Sequence, residues 1–521
     1  MRGAVSWNRE PLHAETGSTF ADDGSAKPVL MRQVRADITS GAAVFVVAFT
    51  ARLLPVFVFP GVNHSDEVFQ TVEQAHRLVF GTGLVPWEFV YGTRSWVLPG
   101  ALAGVMKLAS QFCAGPSCYM PVIGSVLAAL GAASALCAFL WGRRFYGTAG
   151  GVVAGVFAAV WIDAIYFGPR ALSDSVAAHV LVIGLYASTP GLPEAATWRR
   201  AAVAGALLSL AASLRVQLSP AIAVIGLWGI FTTFRNQWLA FLGGSLVIWL
   251  LYGAVDAFTW SYPFESLWRN VAANLFYNIQ AEYGVSPWYW YLSTVLEYWT
   301  GLAGAMAALC LIGAIRLPQP FVAAGLIALT YSLFGHKELR FIYPAVLLAI
   351  IVSGIGLAQL VSWISATLRE RGWGWRGAVI VPSATAAAVV VLTQLALANG
   401  SEPYRRLWTR GRDMVLASRY VARLGAVCGV GVLDDIWFVT GGYASFHHAV
   451  PLYWATSDGP LDPDSVAFNT VVYDRGKPLG AGYVERACFD DSCVAQREGS
   501  CSPQPMTNMS GPPSPLDFSR D

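Results

Sequence analysis

The sequence predicts an all-α polytopic membrane protein of about eleven transmembrane helices, with a small α/β region at its C-terminal end. Three observations predict it. Of the 521 residues, 55% are hydrophobic and only 13% charged, where a soluble domain carries roughly a quarter charged. Mean hydropathy is +0.50, and apolar stretches of span length, roughly 20 residues, recur from about residue 41 to residue 398. Beyond residue 399 the composition is that of ordinary soluble chain. The formal net charge of +2 is too small to point to nucleic acid as a partner.

Taken in order, residues 1–40 are polar and irregular and hold no short apolar core of a cleavable signal, so they read as a disordered cytoplasmic tail. Spans are expected near 41–60, 119–141, 148–168, 172–189, 199–217, 219–234, 238–257, 291–314, 319–334, 341–364 and 377–398. The stretch 97–112 is apolar but short, and it holds Pro99 and Lys107. If it crossed the bilayer, everything after it would invert. Treated as a helix lying in or dipping into the surface, it leaves Arg143, Arg144, Arg199, Arg200, Arg235, Arg316, Arg369, Arg371 and Arg376 on the cytoplasmic side, as basic residues prefer. The first outer loop (61–118), the later polar motifs and the region 399–521 then all face the opposite, extracytoplasmic side.

That side also holds Cys113, Cys118, Cys428, Cys488, Cys493 and Cys501, whose close pairs CAGPSC and CFDDSC suit disulfides in an oxidising compartment. Connectivity stays open. A zinc site is the weaker alternative, since no CxxC pair is present. In the terminal region, 407–424 suggests an amphipathic helix and 427–433 and 468–474 suggest buried strands. The last twenty residues are rich in Pro and Ser and read as disordered.

Four polar constellations stand out. In the first outer loop, Val68, Val72, Ala75 and Val79 line one helical face while Asp66, Gln70, Glu73 and Arg77 line the other. An N-cap at Ser65 with two acids at the helix's positive end explains Asp66 and Glu67 structurally. Two acids at a membrane surface beside Trp87, Phe89, Tyr91 and Trp96 also suit a general base next to a sugar pocket. Second, GHKELRFIYP (335–344) sets His336, Lys337 and Arg340 on nearly one helical turn, with Glu338 among them. Cations here run against the charge rule, and a phosphate-binding role explains them. Third, 255–292 interleaves aromatics with Asp256, Glu265, Arg269, Asn270, Asn274, Asn278 and Gln280. An interfacial belt accounts for Trp288, Tyr289, Trp290 and Tyr291, but not for the amides, which suit a carbohydrate. Fourth come Arg170, Ser173, Asp174, Arg215 and Gln217 at span ends, with Arg52 deeper, where an unpaired cation is costly.

HSDEVFQTVEQAHRLVFGTGLVPWEF with the following RSW, then DAF, PFESLWRNVAANLF and EYGVSPWYWY, then HKELRFIYP, resemble in order the motifs of glycosyltransferase family 22 over about residues 48–360. This is the group of GT-C mannosyltransferases of lipid-linked oligosaccharide and GPI-anchor assembly. Two departures are visible. Ser65 stands where the family usually has Pro, and RALSDS replaces an Arg-Thr-Leu-Ser/Pro-Asn stretch.

The resemblance implies that 41–398 is a GT-C transmembrane catalytic domain and that the reaction is an inverting transfer. A hexose, mannose in most members, would move from a polyprenyl-phosphate-linked donor to a hydroxyl of a glycolipid or lipid-linked glycan acceptor. It implies Asp66 as general base and Glu67 as the residue orienting the acceptor. His336, Lys337, Arg340 and Arg215 would hold the donor phosphate, and Trp87, Arg94, Asp256, Asn274, Tyr283 and Trp288 would contact substrate. No metal or cofactor is called for, the lipid-phosphate sugar being a co-substrate. Membrane lipid is the other partner, and the composition leans toward a bacterial plasma membrane rather than endoplasmic reticulum. A transporter or flippase of lipid-linked sugars is the alternative of another class, though no internal repeat supports it.

Overall fold

In the computed structural model, residues 26–189, 197–434, 436–455, 459–502, 504, 505 and 509 are described. The expected disorder of the last twenty residues falls largely outside them, as does residues 1–25 of the expected tail.

Helix α1 (Ala26–Phe57) begins fifteen residues before the span it was expected to hold, so 26–40 is helical rather than irregular. The first loop then carries a π turn at Val68–Val72 and helices α2 (Glu73–Phe80), α3 (Trp87–Val90) and α4 (Val97–Ser110). At about 1.5 Å per residue, the 14 residues of α4 reach roughly 21 Å. Leu102, Met106 and Ala109 bury against α2 and α5.

Helix α5 (Pro116–Val160) is broken at Tyr146 and Gly147 (φ 69°), after which the chain doubles back. Glycines let the two halves touch: a Cβ on Gly151 would stand 2.9 Å from the Phe139 carbonyl oxygen. The spans expected at 119–141 and 148–168 are therefore a tight helical hairpin, completed by α6 (Ile162–Phe167). Next come α7 (Ser173–Ser188), α8 (Trp198–Leu214), α9 (Ser219–Phe231), α10 (Trp238–Thr259) and the short α11 (Glu265–Val271). Then follow α12 (Trp290–Trp299), α13 (Leu302–Ala314), α14 (Pro318–Leu333), α15 (Leu339–Glu370) and α16 (Trp375–Gly400). Each expected span thus carries a helix. Among the described residues, five helices are long and apolar enough to cross a membrane, and α12 with α13, bent by 109°, make a sixth candidate.

The core runs along α5, α7 and α15, with α1 packed on α5 and α13 on α15. Arg52 is fully buried and spends its charge on the carbonyls of Ala48, Ala158 and Ala159, so its partners are backbone oxygens rather than a carboxylate.

The expected helix 407–424 is divided into α17 (Glu402–Thr409) and α18 (Arg412–Val421) by Gly411 at φ 68°. Beyond it, β1 (Val430–Val432), β2 (Leu452–Trp454), β3 (Thr470–Asp474), β4 (Val484–Phe489) and β5 (Ser492–Gln496) form one sheet in the order β2-β1-β3-β5-β4. The expected strands pair in parallel, Val430 opposite Thr470 and Val432 opposite Val472, and a short helix α19 (Tyr443–Phe446) lies between β1 and β2. Disulfides join Cys113 to Cys118, Cys428 to Cys501 and Cys488 to Cys493. Among the described residues, the cluster with metal-ligand spacing is Glu485, Cys488 and Cys493. Its two sulfurs are already bonded to each other, which leaves no thiolate for zinc.

This α/β region shares its core with the first loop. Val62, Val68, Phe69 and Leu84 pack with Met414, Val415, Val430, Val432 and Val472.

Candidate active site

One cavity of about 930 Å³ gathers residues from every polar constellation. Asp66 and Gln70 come from the turn after α1, Trp87 and Glu88 from α3, Arg94 from the turn before α4, and Arg215 and Gln217 from the α8–α9 junction. Asn270, Asn274 and Tyr283 come from the loop after α10, and His336, Glu338 and Arg340 from the start of α15. These segments follow alternate crossings of the bundle. They meet around this one cavity.

The floor is an ion network. Arg340 places a guanidinium nitrogen 2.6 Å from Asp66 Oδ2 and grips Glu338 with two bonds of 2.8 Å. His336 Nε2 meets Glu338 at 3.1 Å and His64 Nδ1 meets it at 3.3 Å. Burial pushes the Glu338 carboxyl up, but Arg340 and the two imidazoles outweigh it and hold the group well below the usual carboxylate range. The hydrogen bond to Glu338 raises the His336 imidazole in return. Alongside, Arg215 Nε lies 2.6 Å from Asp174 Oδ1, a buried pair in which each partner neutralises the other.

Several expected contacts lie elsewhere. Glu67 does not share the cavity with Asp66, because adjacent residues of a helical turn project about 100° apart. It faces Arg170 at 3.6 Å in a separate pocket of about 60 Å³ beside Arg419. Lys337 also turns away. Helix α15 starts only at Leu339, with Glu338 extended (φ −133°, ψ 149°), so His336, Lys337 and Arg340 are not on one helical turn. The Lys337 ammonium donates to the carbonyls of Ser332 and Phe334 at the end of α14. Asp256 is buried outside the cavity, accepting from Ser266 N at 3.0 Å, Ser266 Oγ at 2.7 Å and Ser95 Oγ at 3.2 Å. Trp288 is 73% exposed, as an interfacial aromatic is. The other expected residues, Asp66, Trp87, Arg94, Arg215, Asn274, Tyr283, His336 and Arg340, all line the cavity.

Sequence reasoning missed Glu88. Its Oε1 accepts from Gln70 Nε2 at 2.7 Å, and burial, reinforced by the Asp66 charge, pushes its carboxyl up to about 7. A carboxylate set between Trp87 and Phe89 was the available signal. Arg410 and Phe438, which bring the C-terminal region to the cavity wall, had none.

The chain is similar in sequence and in fold to known proteins. A model of the Alg9-like mannosyltransferase family matches residues 43–406. GPI mannosyltransferase 3 of Drosophila melanogaster is 26% identical over 339 residues, 62% of this chain and 58% of that protein. The protein of the same name from Yarrowia lipolytica is 30% identical over 289 residues, 54% of this chain and 55% of that protein. The chain thus spans under two thirds of the length of these relatives. In fold it is similar to ArnT from Cupriavidus metallidurans, solved bound to undecaprenyl phosphate, with a TM-score of 0.53 at 12% identity over 90% of this chain and 99% of that one. The fold is GT-C, all-α and polytopic with a small α/β C-terminal region, and the chain belongs to the Alg9-like mannosyltransferase family.

Proposed function

We propose that this protein transfers a hexose, mannose by its family, from a polyprenyl-phosphate carrier to a hydroxyl of a glycolipid or lipid-linked glycan, with inversion. The observation that carries the proposal is the pairing of Asp66 with Arg340 at 2.6 Å on the wall of a sugar-sized cavity. The acceptor oxygen attacks the anomeric carbon while its proton passes to Asp66. The bond from that carbon to the phosphate oxygen breaks, and polyprenyl phosphate leaves with one more negative charge. That charge needs stabilisation, not a proton, and the guanidinium wall of Arg340 and Arg215 suits it. The amides of Asn270 and Asn274 and the ring of Trp87 suit the sugar. The reading assigns no step to a metal or cofactor.

The site faces the extracytoplasmic side in this reading. The oxidised cysteine pairs lie at its end of the bundle, and the arginine-rich turns that favour the cytoplasm lie at the other. A carrier for lipid-linked sugars is set aside, since the polar groups gather at one end rather than at the midplane and the family is one of transferases. The test is transfer of labelled mannose from polyprenyl-phosphate mannose to extracted glycolipid in membranes holding the protein. Asp66→Asn should cost about 10² to 10⁴ in rate, as loss of a positioned general base does. Transfer at the normal rate by that variant would refute Asp66 as base.

A further inference from the structure

Three spaces adjoin in a row. The 930 Å³ polar cavity adjoins a narrow neck of about 70 Å³, the two sharing Arg94, Arg215, Gln217 and Asn270 in their walls. The neck in turn shares Val97, Ser213 and Tyr252 with an apolar groove of about 730 Å³ running between α4, α8 and α10. Ala101, Leu210, Ile248, Leu251 and Val255 line that groove, with Trp96 and Trp260 on its walls.

Arg94 stands at the junction. Its main chain is held from several sides: its carbonyl accepts from Trp260 Nε1 at 3.2 Å, Arg269 donates to Tyr91 O at 3.0 Å, and Asn270 donates to Thr93 O at 3.3 Å. Ser95 is tied to Asp256. Among the described residues the Arg94 guanidinium has neither ion pair nor hydrogen bond, and its Nε is shut off from solvent without a partner. Arg215 and Arg340 point toward the same space but already have Asp174 and Asp66 opposite them at 2.6 Å each. Burial and the neighbouring Arg215 and Arg340 cations lower the Arg94 guanidinium; Glu88 and Asp66 oppose that shift through space, but neither forms an ion pair or hydrogen bond with it. A rigid backbone presenting an uncommitted guanidinium is a preorganised anion site.

A molecule with a sugar, then a phosphate, then a long hydrocarbon chain has the same order of parts. We propose that Arg94 anchors the phosphate of the lipid-linked donor, and that the donor's chain leaves through the groove between α4, α8 and α10. This rests on the transfer reading above and deepens it. It gives the middle loop a positioning role: Asp256, Trp260, Arg269 and Asn270 hold the turn that presents Arg94, and Arg340 is left to face the reacting oxygens. It also gives α4 a reason not to cross the membrane, since a surface helix can form one wall of a groove open to lipid.

The experiment is binding of radiolabelled undecaprenyl phosphate, and separately of geranyl phosphate, to the full chain in lipid nanodiscs, read as label retained above that of empty nanodiscs. The wild-type protein should bind both. Arg94→Gln should weaken both at least ten-fold, with Arg94→Lys recovering part of the loss. Ala101→Trp, which fills the groove, should weaken undecaprenyl phosphate at least ten-fold and leave geranyl phosphate unchanged. A cooperative melting transition near that of wild type confirms that each variant is folded. Wild-type affinity in Arg94→Gln would overturn the anchor, and wild-type affinity for the long chain in Ala101→Trp would overturn the path. Failure of the wild-type protein to bind either lipid would overturn the donor class and the proposed transfer with it.

Discussion

The guanidinium of Arg340 lies 2.6 Å from the Asp66 carboxylate and holds Glu338 at 2.8 Å through two of its nitrogens. One fork thus joins the first loop to the start of α15. Lysine keeps the charge but loses the fork. Arg340→Lys is expected to lower kcat for sugar transfer about 10- to 100-fold, or about 1.4 to 2.7 kcal/mol of transition-state stabilisation, with a smaller change in donor KM. Steady-state kinetics with donor titrated at saturating acceptor decides it. A change in KM alone would mean that Arg340 only binds the donor.

Lys337 gives the opposite expectation. Its ammonium caps the carbonyls at the end of α14 and does not reach the cavity. Lys337→Ala should leave donor KM within about two-fold of wild type. It should lower the melting temperature by the equivalent of about 1 kcal/mol, the net worth of an ordinary hydrogen bond. A large rise in donor KM would restore the phosphate role that the motif suggested.

The contrast between Arg340 and Lys337 shows where the sequence stopped being legible. Apolar periodicity located each span because lipid imposes length and composition locally. Charge at the turns led to the expectation that the polar segments face one side, and they do line one cavity. The direction of a side chain near a helix start depends on which residue begins the helix, and that is decided by packing. GHKELRFIYP therefore named the right segment but misassigned Lys337. Glu67 failed for a related reason, being one residue from Asp66 and turned away. Glu88 and Arg410 reach the cavity through tertiary contacts that no spacing in the chain encodes.

Glu88 makes the site sensitive to pH. Burial and the Asp66 charge push its carboxyl up to about 7, against the pull of Arg94 and of its bond from Gln70. Below that pH the group is neutral. Above it, a second negative charge joins Asp66 beside Arg94 and opposes a phosphate there. Donor KM should therefore rise as pH passes from 6 to 8. The phosphodiester donor does not titrate in this window, so the rise belongs to the protein. Glu88→Gln, which keeps a partner for Gln70, should flatten it, and a pH profile unchanged in that variant would assign the effect to another group.

Glu73 ties the α/β region to the membrane domain. Its buried carboxylate accepts backbone N–H groups from Leu84 at 2.8 Å, Tyr443 at 3.0 Å and Ala444 at 2.9 Å. Beside it, His76 Nε2 meets His447 Nδ1 at 3.1 Å and Tyr119 donates to Ala444 O at 2.7 Å. Glu73→Ala would leave three buried donors without an acceptor, a loss of about 3 kcal/mol or more at about 1 kcal/mol each. Because Phe438 and Arg410 reach the cavity from this region, both stability and transfer should fall. The pH dependence is the more discriminating measurement. Burial raises the Glu73 carboxyl from an unfolded value near 4.5 to about 7, although the three N–H groups oppose the shift. The folded protein therefore holds this proton more tightly than the unfolded chain does. Its contribution is fully present below pH 4.5 and is lost as pH rises through 7. Protease cleavage between α18 and β1 should accordingly be faster at pH 8 than at pH 5, and Glu73→Gln should lose that part of the difference. A variant with the full wild-type pH dependence would show that the junction's proton sits elsewhere, His76 being a poor candidate because burial lowers it to about 4.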